Sequence, residues 1–378
     1  MKGFLSVIFM VLAALPARGQ VDVAHRRTLT IQTGFAVADS EEQPGGFGFY
    51  WFNENHYPWT NTALRVIFAG IFVDSEFSCF LPASPNIAIG FGGGGGLNID
   101  SIVPYRDGER DSGQQFLGDN ANLRVFINHT VTEVPVGDAG AIPLNVRGTY
   151  AVSGSFYRED SNTRNFTLPA DFITQSLTAE IRFGGVEPGL LTRRGLEVYA
   201  ALEANYRSGF EAFGPNGALF PAHSTYQRAF GDIALKLPVG TNTVFAKVSG
   251  GLGNNIDELS AYKLGGNLVN VEPFASTIHG YYTREIFAED FYLVNLEFRV
   301  PICDARQLTG HLYADFAEAK QLDGASRDWH SFLGLGGGFS FRGPWQADLL
   351  LSYGYGFNAL RNGDRGGHEV GFALEKQF

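Results

Sequence analysis

A chain of 378 residues with 28 Lys and Arg against 39 Asp and Glu carries a formal charge of −11, which argues against nucleic acid as a partner. Aromatic residues make up 14%, glycine occurs 48 times and the mean hydropathy is −0.05. Beyond the N-terminal segment no apolar run is long enough for a membrane-spanning helix. Apolar residues instead recur with period two, the pattern of a transmembrane β-barrel.

Residues 1–19 read as a signal peptide. Lys2 supplies the positive start, Phe4 to Leu15 the apolar centre, and Ala17-Arg18-Gly19 a small-x-small site cut before Gln20. That centre is too short to span a bilayer, and no Cys stands at the cut, so the expected product is an exported protein without a lipid anchor. The rest, 20–378, reads as one barrel domain.

Alternating segments begin with Thr28–Ala38, Gly46–Asn53, a broken pair within Thr62–Pro82, and Ile87–Leu97. The run Gly92–Gly96 has neither a following Lys-Ser/Thr nor a helix to aim amides at a phosphate. It reads as a strand with small inward residues. Asn122–Val134, Val146–Arg158, Asp171–Phe183, Gly195–Arg207, Gln227–Leu237 and Thr243–Gly251 follow. The clearest sets Ile173, Gln175, Leu177, Ala179, Ile181 and Phe183 against Thr174, Ser176, Thr178, Glu180 and Arg182.

From Gly265 to Phe291 the chain is too long for a tight turn. It carries Leu268, Val269, Val271, Phe274, Ile278, Tyr281, Tyr282 and Ile286, a composition that packs on something. Behind it Val294, Leu296, Phe298, Val300 and Ile302 share one face, and Asn295, Glu297 and Arg299 the other. After a polar break, Leu308–Phe316 turns His311, Tyr313 and Asp315 inward. Ser331–Arg342, Gln346–Phe357 and Gly367–Phe378 close the series; in the last, Val370, Phe372, Leu374 and Phe378 alternate with Glu369, Gly371, Ala373 and Glu375. The sum is an all-β fold, a 16-stranded antiparallel transmembrane β-barrel.

Connections alternate between short breaks (Gly240–Asn242, Cys303–Arg306, Gly343–Trp345) and long polar ones (Asn98–Asn120, Arg207–Thr225, Gly253–Asp290, Ala317–His330). Short turns face the periplasm and long loops the exterior. After cleavage 378 − 19 = 359 residues remain. That is about 22 per strand and connection, enough for spans of about 9–11 residues. Trp51, Trp59, Trp329 and Trp345 fall near predicted strand ends, where an aromatic girdle would place them. Cys79 and Cys303 fall on strands far apart around the barrel, which argues against a disulfide.

Gly265-Gly266, His279-Gly280-Tyr281, Asn295–Pro301 and Tyr313-Ala314-Asp315, in that order, resemble the loop-six region of the BamA/TamA/FhaC superfamily, the bacterial surface antigen family. The last three strands, ending in Phe378, are similar to that family's as well, so the likeness runs from about Tyr262 to the C-terminus. The resemblance implies a loop six folded into the lumen. There a Val-Arg-Gly-Tyr/Phe tip presents its Arg to an Asp on the following strand's inner wall. Two departures stand out: His279 occupies the Arg position, and Ala317 replaces the Gly that follows the Asp motif.

The expected site therefore joins a tip (His279, Gly280, Tyr281, Arg284) to wall partners (Glu297, Arg299, His311, Tyr313, Asp315). A His would pair with Asp315 less strongly than a bidentate Arg, and in a pH-dependent way. From the residues alone these are equally well solvated luminal charges. The resemblance implies a role in protein or lipid translocation, insertion or secretion at the outer membrane. The seam between the first strand and the terminal strand (Gly371, Phe372, Phe378) would be a lateral gate. Only eight residues separate the cleavage site from Thr28, so a barrel without POTRA repeats is expected.

Expected partners are outer-membrane lipids, the barrel-assembly machinery for the chain's own insertion, and a periplasmic or outer-membrane protein. No cofactor and no enzymatic activity are expected. The eight His are scattered without metal spacing, Gly334–Gly338 fails as a dinucleotide fingerprint, and no Gly-x-Ser-x-Gly occurs. A passive diffusion channel is the alternative reading, and a barrel hydrolase built from distant Ser, His and Asp the third.

Overall fold

The structure, a computed structural model, describes residues 25–36, 45–106, 108–135, 141–186, 195–220, 222–266, 276–303, 307–322, 327–361 and 363–378. The expected export signal lies outside them, as do Leu268, Val269, Val271 and Phe274.

Sixteen antiparallel strands form one closed wall. In chain order they are β1 (His25–Ala36), β2 (Gly45–Asn55), β3 (Thr62–Phe68), β4 (Phe72–Leu81), β5 (Ser84–Gly96), β6 (Phe116–Pro135), β7 (Ala141–Glu159) and β8 (Phe172–Val186). They continue as β9 (Gly195–Ser208), β10 (Thr225–Val239), β11 (Asn242–Asn254), β12 (Ile286–Cys303), β13 (Leu308–Gln321), β14 (Trp329–Arg342), β15 (Ala347–Arg361) and β16 (Asp364–Gln377). Each pairs with its sequence neighbours, and β1 closes on β16 from Thr28↔Gln377 to Ala36↔Glu369. Closure is what lets strands cross lipid, because every backbone N–H and C=O then has a partner in the wall.

The expected alternation sets the two faces. Leu296, Phe298, Val300 and Ile302 point outward and are exposed, whereas Ser249, Leu293, His311 and Asp315 are buried inside. On β16, Glu369, Gly371, Ala373 and Glu375 form the inward row. The run Gly92–Gly96 lies in β5, as its strand reading required. A side chain at Gly92 would come 3.0 Å from Arg124 Nε, so the small row leaves room for the inward side chains of β4 and β6.

Strand length departs from the uniform expectation: β3 has 7 residues, while β6 and β7 have 20 and 19. The long pair runs on past the membrane band because it carries an ordered cap. At the long-loop end, Ile102, Phe116, Phe166, Phe213, Tyr226, Ile256 and Leu322 pack in one apolar cluster with Tyr157, Phe210 and Phe220 against it. The third to seventh loops thus share a core of their own. Within it Arg207 is flanked by Phe172, Phe210 and Tyr226 and pairs with Asp257 at 2.5 Å. The expected long loops are correspondingly shorter, since β12 and β13 extend as strands to Ile286 and Gln321.

Trp51 does not join a girdle. Its register partner Thr28 faces inward, and Arg65 on the inner wall lies 5.7 Å from the indole, so Trp51 faces the lumen. Trp59, Trp329 and Trp345 are exposed at the ends of the wall. Cys79 on β4 and Cys303 on β12 are both free.

Candidate functional site: a docked loop six

Loop six, residues 255–285, connects β11 to β12. It first adds a short strand, Tyr262–Leu264, to the outer end of β12, pairing Tyr262 with Ala288 and Leu264 with Ile286. Tyr262, Leu264, Ile278, Tyr281 and Ile286 then pack with Phe291, Leu293, Ala317 and Phe332 of the wall. Burying such apolar side chains is worth about 1.5–3 kcal/mol each, which is what draws a polar-flanked loop off the surface. Ala317, the departure from the family pattern, is fully buried under this cluster.

The tip sits on β12–β16. His279 donates its backbone N–H to Asp315 Oδ2 at 2.8 Å, and its ring Nδ1 lies 2.5 Å from the same oxygen. Asn295 of β12 completes the set, donating to Asp315 Oδ1 at 2.6 Å and to the Thr277 carbonyl at 2.9 Å. The imidazole stacks on Tyr313 with ring centroids 4.3 Å apart and planes 13° apart. Gly280 has a φ of 83°, and a Cβ there would lie 2.0 Å from the Gly356 nitrogen, so the tip position excludes any side chain.

The wall is shaped to match. Side chains at Gly334, Gly354, Gly356 and Gly367 would each come within 2.8 Å of a His279 or Gly280 backbone atom. These four glycines of β14, β15 and β16 make the slot in which the tip lies.

A second clamp runs the other way in charge. Arg361, near the end of β15, donates from Nη1 and Nη2 to the two Glu285 carboxylate oxygens at 2.8 and 2.9 Å, and its guanidinium lies 3.5 Å over the Tyr282 ring. Glu285 in turn accepts from the Tyr282 N–H at 2.7 Å. Arg284 stands beside it, beyond the tip, with a positive φ of 60°. Over the loop lies a hairpin of loop three, Tyr105–Arg106 with Glu109–Arg110, held by Arg106–Glu258 at 2.7 Å and by Tyr105 against Tyr282 at 4.8 Å. Together these contacts hold loop six inside the wall and cover it from the loop end.

Glu297, Arg299 and His311 form a separate set on the turn side of Tyr313. His311 Nδ1 lies 2.6 Å from Glu297 Oε1 and Nε2 lies 2.6 Å from Ser340 Oγ, while Arg299 donates to Glu297 at 2.8 Å. The connectivity is that of an acid, a base and a hydroxyl nucleophile. Ser340, however, is 0% exposed, and its strand is laddered on both sides, to Thr309 and to Leu350. The hydroxyl is therefore closed off from solvent in this arrangement.

Across the lumen, Glu76 of β4 lies 3.0 Å from Arg65, 2.9 Å from Arg124 and 2.7 Å from Arg147, and Asp74 takes Arg124 bidentately at 2.7 Å. No cluster of metal-ligand type exists among the described residues. The glycine slot, Arg361 and this arginine cluster were not singled out from the sequence. Only the alternating register, which turns Arg124 and Arg147 inward, could have flagged the last.

A closed barrel of sixteen antiparallel strands with loop six docked inside it is a fold that this chain shares with solved outer-membrane barrels. No protein-family model matches the sequence, and no curated protein matches it. Solved structures do. CdiB from Acinetobacter baumannii aligns with a TM-score of 0.57 and 11% identity over 95% of this chain and 61% of that one. BamA from Haemophilus ducreyi lacking POTRA domains 1-3 aligns with a TM-score of 0.57 and 10% identity over 94% and 70%, and CdiB from Escherichia coli with 0.54 and 12% over 94% and 64%. The chain thus spans 61% of the length of the first CdiB.

Proposed function

We propose that this chain is an outer-membrane translocation or insertion barrel held shut by its own loop six, acting with a periplasmic or outer-membrane partner protein. The observation that carries the reading is the docked tip, His279 against Asp315 in the glycine slot. A passive diffusion channel gains nothing from a loop clamped at two points and covered by a second loop. A barrel that must pass or insert a client needs a plug with a defined release. The slot also links plug to seam, because Gly367 belongs to β16, the strand that closes on β1. Hydrolase chemistry is not part of the proposal, since the Ser340 hydroxyl is sealed in the wall.

The test is a cross-link at the seam. Gln32 and Ala373 face each other across β1 and β16 on the inner side. Cysteines at these two positions, in a Cys79→Ser/Cys303→Ser background, should form a barrel that folds yet fails to restore the envelope phenotype of a deletion strain until reductant is added. Full restoration by the oxidised protein would overturn the gated reading and favour a fixed scaffold or pore.

A further inference from the structure

The outward face of the wall carries a largely apolar groove in which several amide side chains stand. On the outward side of β7 to β11, near their loop ends, Tyr150, Gln175, Leu177, Tyr206, Gln227 and Asn254 line a depression of about 310 Å³. That volume falls at the lower end of the roughly 300–1,000 Å³ of small-molecule sites. Register makes the lining continuous: Leu177 pairs with Tyr150, Gln175 with Tyr206, and Gln227 with both Ala204 and Asn254. Around it the wall is apolar, with Ile173, Leu202 and Leu252 all half or more exposed.

Amides in that position need partners. Tyr150 donates to Gln175 Oε1 at 3.0 Å, which leaves the Gln175 amide nitrogen as a donor. The side-chain amides of Gln227 and Asn254 make no hydrogen bond to any described residue, although both residues are paired in the wall through their backbones. An unpaired amide turned towards lipid is costly, and it is stable only where the lipid itself supplies polar atoms. No residue lining the groove is charged, so a phosphate headgroup would find no counter-ion there. What the lining offers is five primary amides, those of Gln175, Asn205, Gln227, Asn254 and Asn255, beside the exposed rings of Tyr150 and Tyr206. Amides match vicinal hydroxyls, and a flat ring face matches the C–H face of a pyranose.

From this chemistry we infer that the groove between β7 and β11 is a binding site for the uncharged sugar headgroup of an outer-leaflet glycolipid, with its acyl chains lying on Leu177, Leu202 and Leu252. The inference is independent of how the lumen works.

The experiment uses the full chain in nanodiscs of phosphatidylcholine doped at equal mole fraction with a monohexosyl diacylglycerol, with diacylglycerol, or with phosphatidylglycerol. Lipid retained on the protein is read by native mass spectrometry. The wild type should retain the hexosyl lipid at least tenfold more than a Gln175→Leu/Gln227→Leu/Asn254→Leu variant, and the two other lipids should be retained equally weakly by both proteins. Equal retention of the hexosyl lipid by both, or preference of the wild type for phosphatidylglycerol or bare diacylglycerol, would overturn the site. The leucines extend the apolar belt, and folding is verified by heat-modifiable mobility. Should the triple variant not fold, Tyr206→Leu is read by the same criteria.

Discussion

His279 meets Asp315 twice, through its backbone N–H at 2.8 Å and its ring Nδ1 at 2.5 Å, so one carboxylate oxygen fixes both the path and the rotamer of the loop-six tip. A guanidinium in the same place would hold a carboxylate by two parallel bonds; the imidazole compensates by stacking on Tyr313. Asp315 is 2% exposed and also accepts from Asn295. Asp315→Ala would leave buried donors without an acceptor, at about 1–3 kcal/mol each. In planar bilayers the wild type should conduct rarely and the variant in frequent, larger steps, with Asp315→Asn between them. A variant as silent as the wild type would place the latch elsewhere.

The Arg361–Glu285 fork should behave as a unit. Both side chains are about nine-tenths buried, and removing one partner of such a pair costs about 3–5 kcal/mol because the other charge is stranded. Glu285→Ala and Arg361→Ala should each lower the urea midpoint for extraction from vesicles. The double variant should be no worse than either single one. Additive losses would mean that the two residues act separately.

Acid should loosen the cap at one joint. Asp160, in the fourth loop, accepts from the Asn162 backbone N–H, which holds its carboxyl below the ordinary range, helped by Gln115 and Ser161. A carboxyl lowered in the folded state contributes in full above its unfolded value, and that contribution fades as pH falls through the folded value. Hydrogen exchange over residues 111–116 and 160–164, corrected for intrinsic rates, should show protection dropping below the ordinary carboxylate range. Asp160→Asn should be less protected at neutral pH and lose the step. An unchanged step in the variant would assign it to another group.

Period-two patterning carried most of the fold, since a strand buried on one side must alternate. Asn295, Glu297 and Arg299 are predicted on one face and His311, Tyr313 and Asp315 on the next, and the structure places both rows in the lumen. Trp51 went the other way because aromatic residues suit either face of a barrel, and nothing local distinguishes them. The Arg361–Glu285 fork joins residues 76 apart in sequence, and no pairwise rule reaches that far. The slot glycines lie in strands whose alternation is legible, but what they make room for is set by a loop elsewhere in the chain.

That slot permits the sharpest separation of wall from plug. Gly354 and Gly367 have no left-handed φ, so their backbones would accept alanine; what would not is the tip. A Cβ at Gly354 would lie 2.6 Å from the Gly280 nitrogen and 2.8 Å from His279 Cβ, and one at Gly367 would lie 2.4 Å from the Gly280 oxygen. Overpacking of this kind costs about 1–3 kcal/mol and is relieved most cheaply by moving the loop, since Gly354 is laddered on both sides and Gly367 to Gly356. Gly354→Ala and Gly367→Ala should therefore fold as barrels yet conduct like Asp315→Ala, whereas Gly148→Ala, whose Cβ would meet only Ile127 at 3.7 Å, should behave as wild type. Because the slot and the Asp315 latch restrain the same tip, Gly354→Ala/Asp315→Ala should open no further than either change alone. A double variant with the summed conductance of two independent defects would show that slot and latch restrain different parts of the loop.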